Sequence, residues 1–374
     1  VIYTLFKDAV AQVPTVAGTG VAISFGNQLS GTYTVSGSSS AGTTAMTGNA
    51  VITETLLPVP VITGTNSVCA GSTGSVYSAE AGNTNYIWSV SAGGTITSGG
   101  TATDNTVTVS WNTAGAQSVS VNYTNAGLCT ASTPTVYAVA VNALPVPVVS
   151  GPSAVCLNAT GNVYSTEAGM TAYAWTVSAG GTITAGGAVS DNSVTVTWNT
   201  SGAQTVSVNY TNANSCTAAA STVYAVTVNT LPTPSVSGPA TVCAASTGNV
   251  YTTEAGNSNY TWTVSAGGTI TAGGTATDNT VTITWNTSGA QTVSVNYSNA
   301  NFCAAATASV YNVTVNTFTV PVVTGANSVC AGSTGNVYST EAGNTNYIWS
   351  VSAGGTITSG GTATDNTVTV SWNT

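Results

Sequence analysis

Apolar and polar residues alternate through most of the chain, and the alternation has a period of two rather than 3.6. In Tyr173-Ala174-Trp175-Thr176-Val177 the Tyr, Trp and Val share one face, and Val194-Thr195-Val196-Thr197-Trp198 turns its Thr outward. Val206, Val208 and Tyr210 alternate with Ser207 and Asn209, while Tyr224, Val226 and Val228 form a last run. Such spacing sets one face of an extended chain against a core and the other in water. Turn formers separate the runs: Ala179-Gly180-Gly181, Ala185-Gly186-Gly187, Asp191-Asn192 and Ser201-Gly202. With shorter runs near Val148-Val149 and Val163-Tyr164, residues 145–231 predict about seven strands. No segment carries helical spacing. The expected class is all-β, a sandwich of short strands.

The pattern returns every 87 residues. That period carries Cys69, Cys156, Cys243 and Cys330, then Trp88, Trp175, Trp262 and Trp349, and then Trp111, Trp198, Trp285 and Trp372. Residues 67–113 and 328–374 differ at two of 47 positions, which implies recent duplication within a tandem array. A unit this long does not need a neighbour's core and suits an autonomous sandwich. Boundaries fall at Leu57-Pro58-Val59-Pro60, Leu144-Pro145-Val146-Pro147 and Leu231-Pro232-Thr233-Pro234, with Phe318-Thr319-Val320-Pro321 opening the fourth copy. The expected domains are therefore 58–144, 145–231, 232–318 and a truncated 319–374, behind a different, truncated front domain, 1–57. Proline fixes φ and favours extended backbone, so the joints read as short and semi-rigid. The prediction is an elongated rod of immunoglobulin-like sandwiches.

Composition narrows the function. The chain has one Lys (Lys7), no Arg, no His and ten acids. Nucleic-acid binding needs a basic surface to neutralise phosphate, and one Lys does not supply it. His-based acid–base chemistry and His-ligated metals are excluded. No apolar run reaches the roughly 20 residues of a membrane-spanning helix, so no membrane insertion is expected. The start at Val1-Ile2-Tyr3 lacks a leader, and the chain reads as a piece of a longer protein.

Seven cysteines are an odd number until the period is applied. Cys69 and Cys129, Cys156 and Cys216, and Cys243 and Cys303 are three pairs of identical spacing. The expected disulfides are Cys69–Cys129, Cys156–Cys216 and Cys243–Cys303, with Cys330 left for a partner beyond Thr374. Closing loops of that size is worth about 4 kcal/mol each in the chain-entropy model and implies an oxidising compartment. Tyr210 precedes Cys216 by six residues rather than the two of an immunoglobulin core bridge. The bridge is therefore expected at one end of the sandwich, tying an early segment to the last turn.

Ser153-Ala154-Val155-Cys156, Val163-Tyr164-Ser165, Tyr173-Ala174-Trp175 and Gly180-Gly181-Thr182-Ile183, continued by Val194 to Trp198, Val206-Ser207-Val208 and Asn212-Ala213-Asn214-Ser215-Cys216, resemble the PKD-like repeats of giant Bacteroidota surface proteins. The resemblance covers 58–374, the greater part of the chain. The front segment, with Val16 to Gly26 and Gly31-Thr32-Tyr33-Thr34-Val35, is similar to the short repeats of SprB-type gliding adhesins, although it lacks their Cys. The resemblance implies type IX secretion and display as a cell-surface filament.

Outside Lys7, Asp8 and Glu54, the charges are Glu80, Glu167, Glu254 and Glu341 with Asp104, Asp191, Asp278 and Asp365. Glu167 and Asp191, and their equivalents, are candidates for a calcium site, set against the plainer reading of solvated turn acids. A glycosidase pair repeated unchanged in four copies suits a structural role better than a single cleft. All eight Trp sit in alternating runs beside Val and Tyr and are expected in the core rather than on a sugar-stacking platform. Neither a catalytic residue nor a cofactor is expected, since Ser and Thr have no base beside them. The expected function is the stalk of an extracellular, cell-surface adhesin serving gliding motility and attachment, not an enzyme. Its partners, cell-surface motility or secretion machinery and external polysaccharide, would be met through other regions. The alternatives are a polysaccharide-binding array, multivalent by repetition, and spacer domains of a secreted enzyme.

Overall fold

The computed structural model describes residues 1–373. Among them every regular element is a strand. The front segment forms β1 (Ile2–Lys7), β2 (Val10–Ala11), β3 (Val16–Ala17), β4 (Gly31–Ser39), β5 (Gly42–Ala45) and β6 (Ala50–Ile52), a single sheet in the order β2-β1-β4-β5. Strand β3 pairs with β1, and β6 with β4. Its buried apolar side chains are few, Leu5 and Tyr33.

The first 87-residue repeat shows how the alternation becomes a sandwich. Its strands are β7 (Thr63–Gly64), β8 (Ser67–Cys69), β9 (Ser72–Ser78), β10 (Thr84–Val90), β11 (Gly94–Gly99), β12 (Thr106–Trp111), β13 (Gly115–Thr124) and β14 (Thr135–Asn142). One sheet runs β10-β13-β14-β8 and the other β11-β12-β9-β7. Pairing is antiparallel except β8 on β14, where Val68 meets Val141 and Cys69 meets Asn142 in parallel register. The inward faces supply one core: Tyr77, Trp88, Val107, Val109, Trp111, Val119, Val121, Val139 and Val141. Burying two Trp indoles strands their N–H groups unless each finds an acceptor. Trp111 donates to the Tyr77 hydroxyl at 3.0 Å, and Trp88 to the carbonyl of Asp104 at 2.9 Å.

The chain divides into two compact units. The first holds 1–153, 159–199 and 203–226, and the second holds 154–158, 200–202 and 227–374. In the first, the second repeat pairs Thr171–Val177 with residues 206–211, and Ser193–Trp198 with both Asn162–Ser165 and Gly181–Gly186. In the second, Ala154–Cys156 lies parallel to Thr227, Val228 and Asn229. The third repeat there has sheets of four and three strands around Tyr251, Trp262, Val281, Ile283, Trp285, Val293 and Val295.

The core role expected of the eight Trp holds for Trp88, Trp111, Trp175, Trp198, Trp262 and Trp285, all buried. Trp349 and Trp372, in the fourth repeat, are half-buried. In the fourth repeat Thr324–Gly325, Asn336–Ser339, Thr367–Trp372 and Gly355–Gly360 form one sheet.

Candidate functional site

Chemistry-bearing side chains gather where one repeat passes into the next. At the end of the first repeat, Asn142 donates through Nδ2 to Ser67 Oγ at 2.9 Å and to the Val68 carbonyl at 3.2 Å. The Ala70 N–H donates to the Asn142 carbonyl at 2.8 Å. Cys69 is therefore fixed at the exit end of its own sandwich.

The facing group is a turn of the second repeat. Asn212 Oδ1 accepts the N–H groups of Asn214 and Cys216, each at 3.0 Å, so an Asx turn aims the Cys216 side chain. Ser215 closes the turn in the left-handed region, at φ 59°. The same Asn reaches the Ala143 carbonyl in the joint at 3.5 Å. Cys216 is fully buried and bonded to Cys69, with the two Cα atoms 5.6 Å apart. The second unit repeats the arrangement. Cys156 stands in register with Asn229, and Asn299 reaches the Thr230 carbonyl at 3.0 Å. Asn299 also holds the N–H of Cys303, which is bonded to Cys156 with Cα atoms 5.5 Å apart.

This corrects the expected pairing. Cys69–Cys129 and Cys156–Cys216 do not form, nor does Cys243–Cys303, because the two cysteines of one repeat lie at opposite ends of it. Cys69 sits beside Asn142 at the exit, whereas Cys129 sits at the entrance, its Sγ 3.7 Å from the Thr55 carbonyl. The observed sequence separation is 147 in both bridges, one full period more than that of the in-repeat pairs. Cys129, Cys243 and Cys330 are free thiols, and no cysteine of this chain stands at that separation from them in the needed direction. The position given for a Cys330 partner, beyond Thr374, lies outside the described residues. The cysteine period is legible in the sequence; the end of the fold that each cysteine occupies is not, because it follows from the parallel strand β8.

A second cluster secures the entrance of each repeat. The Glu167 carboxylate accepts the Val148 N–H at 3.2 Å, the Thr166 hydroxyl at 2.6 Å and the Tyr210 hydroxyl at 3.1 Å. Glu254 does the same with Ser235, Thr253 and Tyr297, and Glu80 with Val61 and Tyr123. Burial alone would raise the Glu254 carboxyl, but hydrogen bonds from Ser235 and Thr253 outweigh it and hold it at about 2. Burial, with the adjoining carboxylate of Glu254, pushes Tyr297 up to about 12. Glu167 is likewise lowered: burial opposes, and the Thr166 hydroxyl and backbone donors prevail.

Asp191, the other calcium candidate, caps a turn: its Oδ2 accepts the Ala188 N–H at 2.9 Å, and Asp104, Asp278 and Asp365 accept Thr N–H and hydroxyl groups likewise. Each carboxylate is engaged by proton donors, the surroundings of an anion cap rather than of a cation ligand. Among the described residues no three acids or cysteines converge on a point that suits a metal.

A family profile described as the PKD-like domain matches residues 56–139, 142–226, 229–313 and 316–374. The chain belongs to the PKD-like family. A comparison with curated proteins found no match. Among solved structures, the array is similar to invasin, a bacterial integrin-binding protein, at 14% identity over 89% of this chain and 74% of that one, with a TM-score of 0.32. It is also similar to the Escherichia coli adhesin FdeC (16% identity, 69% of this chain, 99% of that one, TM-score 0.27). The human desmocollin-1 ectodomain matches at 8% identity over 100% of this chain and 86% of that one, with a TM-score of 0.27. The PKD-like repeats are tandem β-sandwiches, with disulfides joining the first to the second and the second to the third.

Proposed function

We propose that these PKD-like repeats form the load-bearing stalk of a filamentous cell-surface adhesin, with gliding motility and surface attachment as its specific setting. The observation that carries the reading is the placement of the bridges. Cys69–Cys216 and Cys156–Cys303 each join one repeat to the next, and neither braces a repeat internally. A disulfide at that position resists separation of neighbours, which is what an array under tension requires. Disulfides are at home in an oxidising compartment, which supports an extracellular setting. The near-identity of 67–113 and 328–374 fits selection on the number of repeats. Trp175 and Trp198 are buried, so the strongest candidates for a polysaccharide platform within the second repeat are committed to the core. Binding to polysaccharide, attachment to motility machinery and type IX secretion belong on this reading to other parts of the protein.

Live-cell fluorescence with antibody against one 87-residue repeat tests it. Signal on the cell surface that travels along the cell body is the expected result. Signal found only in the medium overturns the reading in favour of a spacer in a secreted protein.

A further inference from the structure

The two bridges overlap in sequence: each begins or ends inside the loop that the other closes, in the order 69, 156, 216, 303. We infer that this crossed pair has a mechanical function of its own, a covalent limit on how far the array lengthens when its repeats unfold under load. The limit follows from connectivity. In an unfolded, stretched chain each bridge merges two positions, 69 with 216 and 156 with 303. Three stretches of backbone then run in parallel between the merged points: 69–156, 156–216 and 216–303. The shortest, 156–216, sets the reach.

At roughly 3.6 Å per residue, positions 69 and 303 separate by at most about 220 Å while both bridges hold. With one bridge left, the shortest path is 216–303 or 69–156, which are equal in length, about 310 Å. With none it is the whole of 69–303, about 840 Å. The first loss therefore adds little reach, and the remaining bridge alone withholds most of the length. Uncrossed in-repeat bridges behave differently, because the loops 69–129 and 156–216 are equal and each would release the same length whenever its bridge was lost.

This property belongs to the covalent chain and holds whether or not the array serves an adhesin, so its test stands apart from the cell-surface one. The full chain is held by handles at its two termini and pulled at constant force until the repeats unfold. Dithiothreitol is then added; it reduces each bridge by thiol–disulfide exchange and is itself oxidised to a cyclic disulfide. The expected record is two contour-length steps in fixed order, about 100 Å and then about 530 Å. Equal steps of about 220 Å would overturn the inference. The doubly substituted Cys69→Ser, Cys216→Ser chain is expected to keep only the large step. If that variant does not fold, the two-step record of the unsubstituted chain decides alone.

Discussion

At the scale of single residues, the junction rests on Asn212 and its equivalents more than on any charge. One amide side chain accepts two backbone N–H groups and donates to the joint. Asn212→Ala is expected to lower stability by about 1–3 kcal/mol, since it leaves those groups without their partner. Asn212→Asp keeps the acceptor and loses the donor, so it should cost less; paired thermal denaturation curves measure both. Glu254 is one source of pH dependence. Its folded value of about 2 lies below its ordinary 4.5, so its contribution is present above about pH 4.5 and is lost as pH falls toward 2. Tyr297 works at the other end: its folded value of about 12 exceeds 10, and its contribution fades as pH rises from 10 to 12. Denaturant titrations across pH should show Glu254→Gln making the acid limb less steep. The sequence marked these acids as recurrent but offered no partner for them, because Val148 and Tyr210 reach Glu167 from 19 residues before and 43 after.

At the scale of elements, period-two patterning was enough to find the strands. Tyr173, Trp175, Val194, Val196, Trp198, Val206, Val208 and Tyr210 are all buried on the faces the alternation assigned them. Glycine is less legible. Gly181 follows a turn formed by Ala179-Gly180, yet it opens the strand Gly181–Gly186 and lies flat on an indole. A Cβ there would stand 2.6 Å from the Trp198 ring and 3.2 Å from Val196. Trp198 is held in place, its Nε1 donating to Tyr164 Oη at 3.1 Å within the core. Gly181→Ala should therefore destabilise by about 1–3 kcal/mol through overpacking, measured as a loss of melting temperature. An unchanged melting temperature would mean the indole can move. Such a close approach is invisible in one dimension, where glycine between polar residues reads as a turn. The strand β8 was invisible for a related reason: three residues carry too little alternation to show that they pair in parallel with the last strand of the repeat.

At the scale of the whole molecule, covalent connectivity joins successive repeats. Closing a loop with a sequence separation of 147 is worth about 5 kcal/mol in the chain-entropy model, more than an in-repeat loop, and it couples each repeat's stability to its neighbour's. The period makes the cysteine ladder legible, but the even in-repeat spacing points to the wrong rungs because cysteines close in sequence lie at opposite ends of the fold. Digestion with a Glu-specific protease under non-reducing conditions, followed by mass spectrometry, reads the connectivity directly. Cleavage at Glu54, Glu80, Glu167, Glu254 and Glu341 gives fragments 55–80, 81–167, 168–254 and 255–341. Cys69–Cys216 and Cys156–Cys303 predict that 55–80 is linked to 168–254 and 81–167 to 255–341. Recovery of 55–80 linked to 81–167, with 81–167 linked to 168–254, would contradict the account.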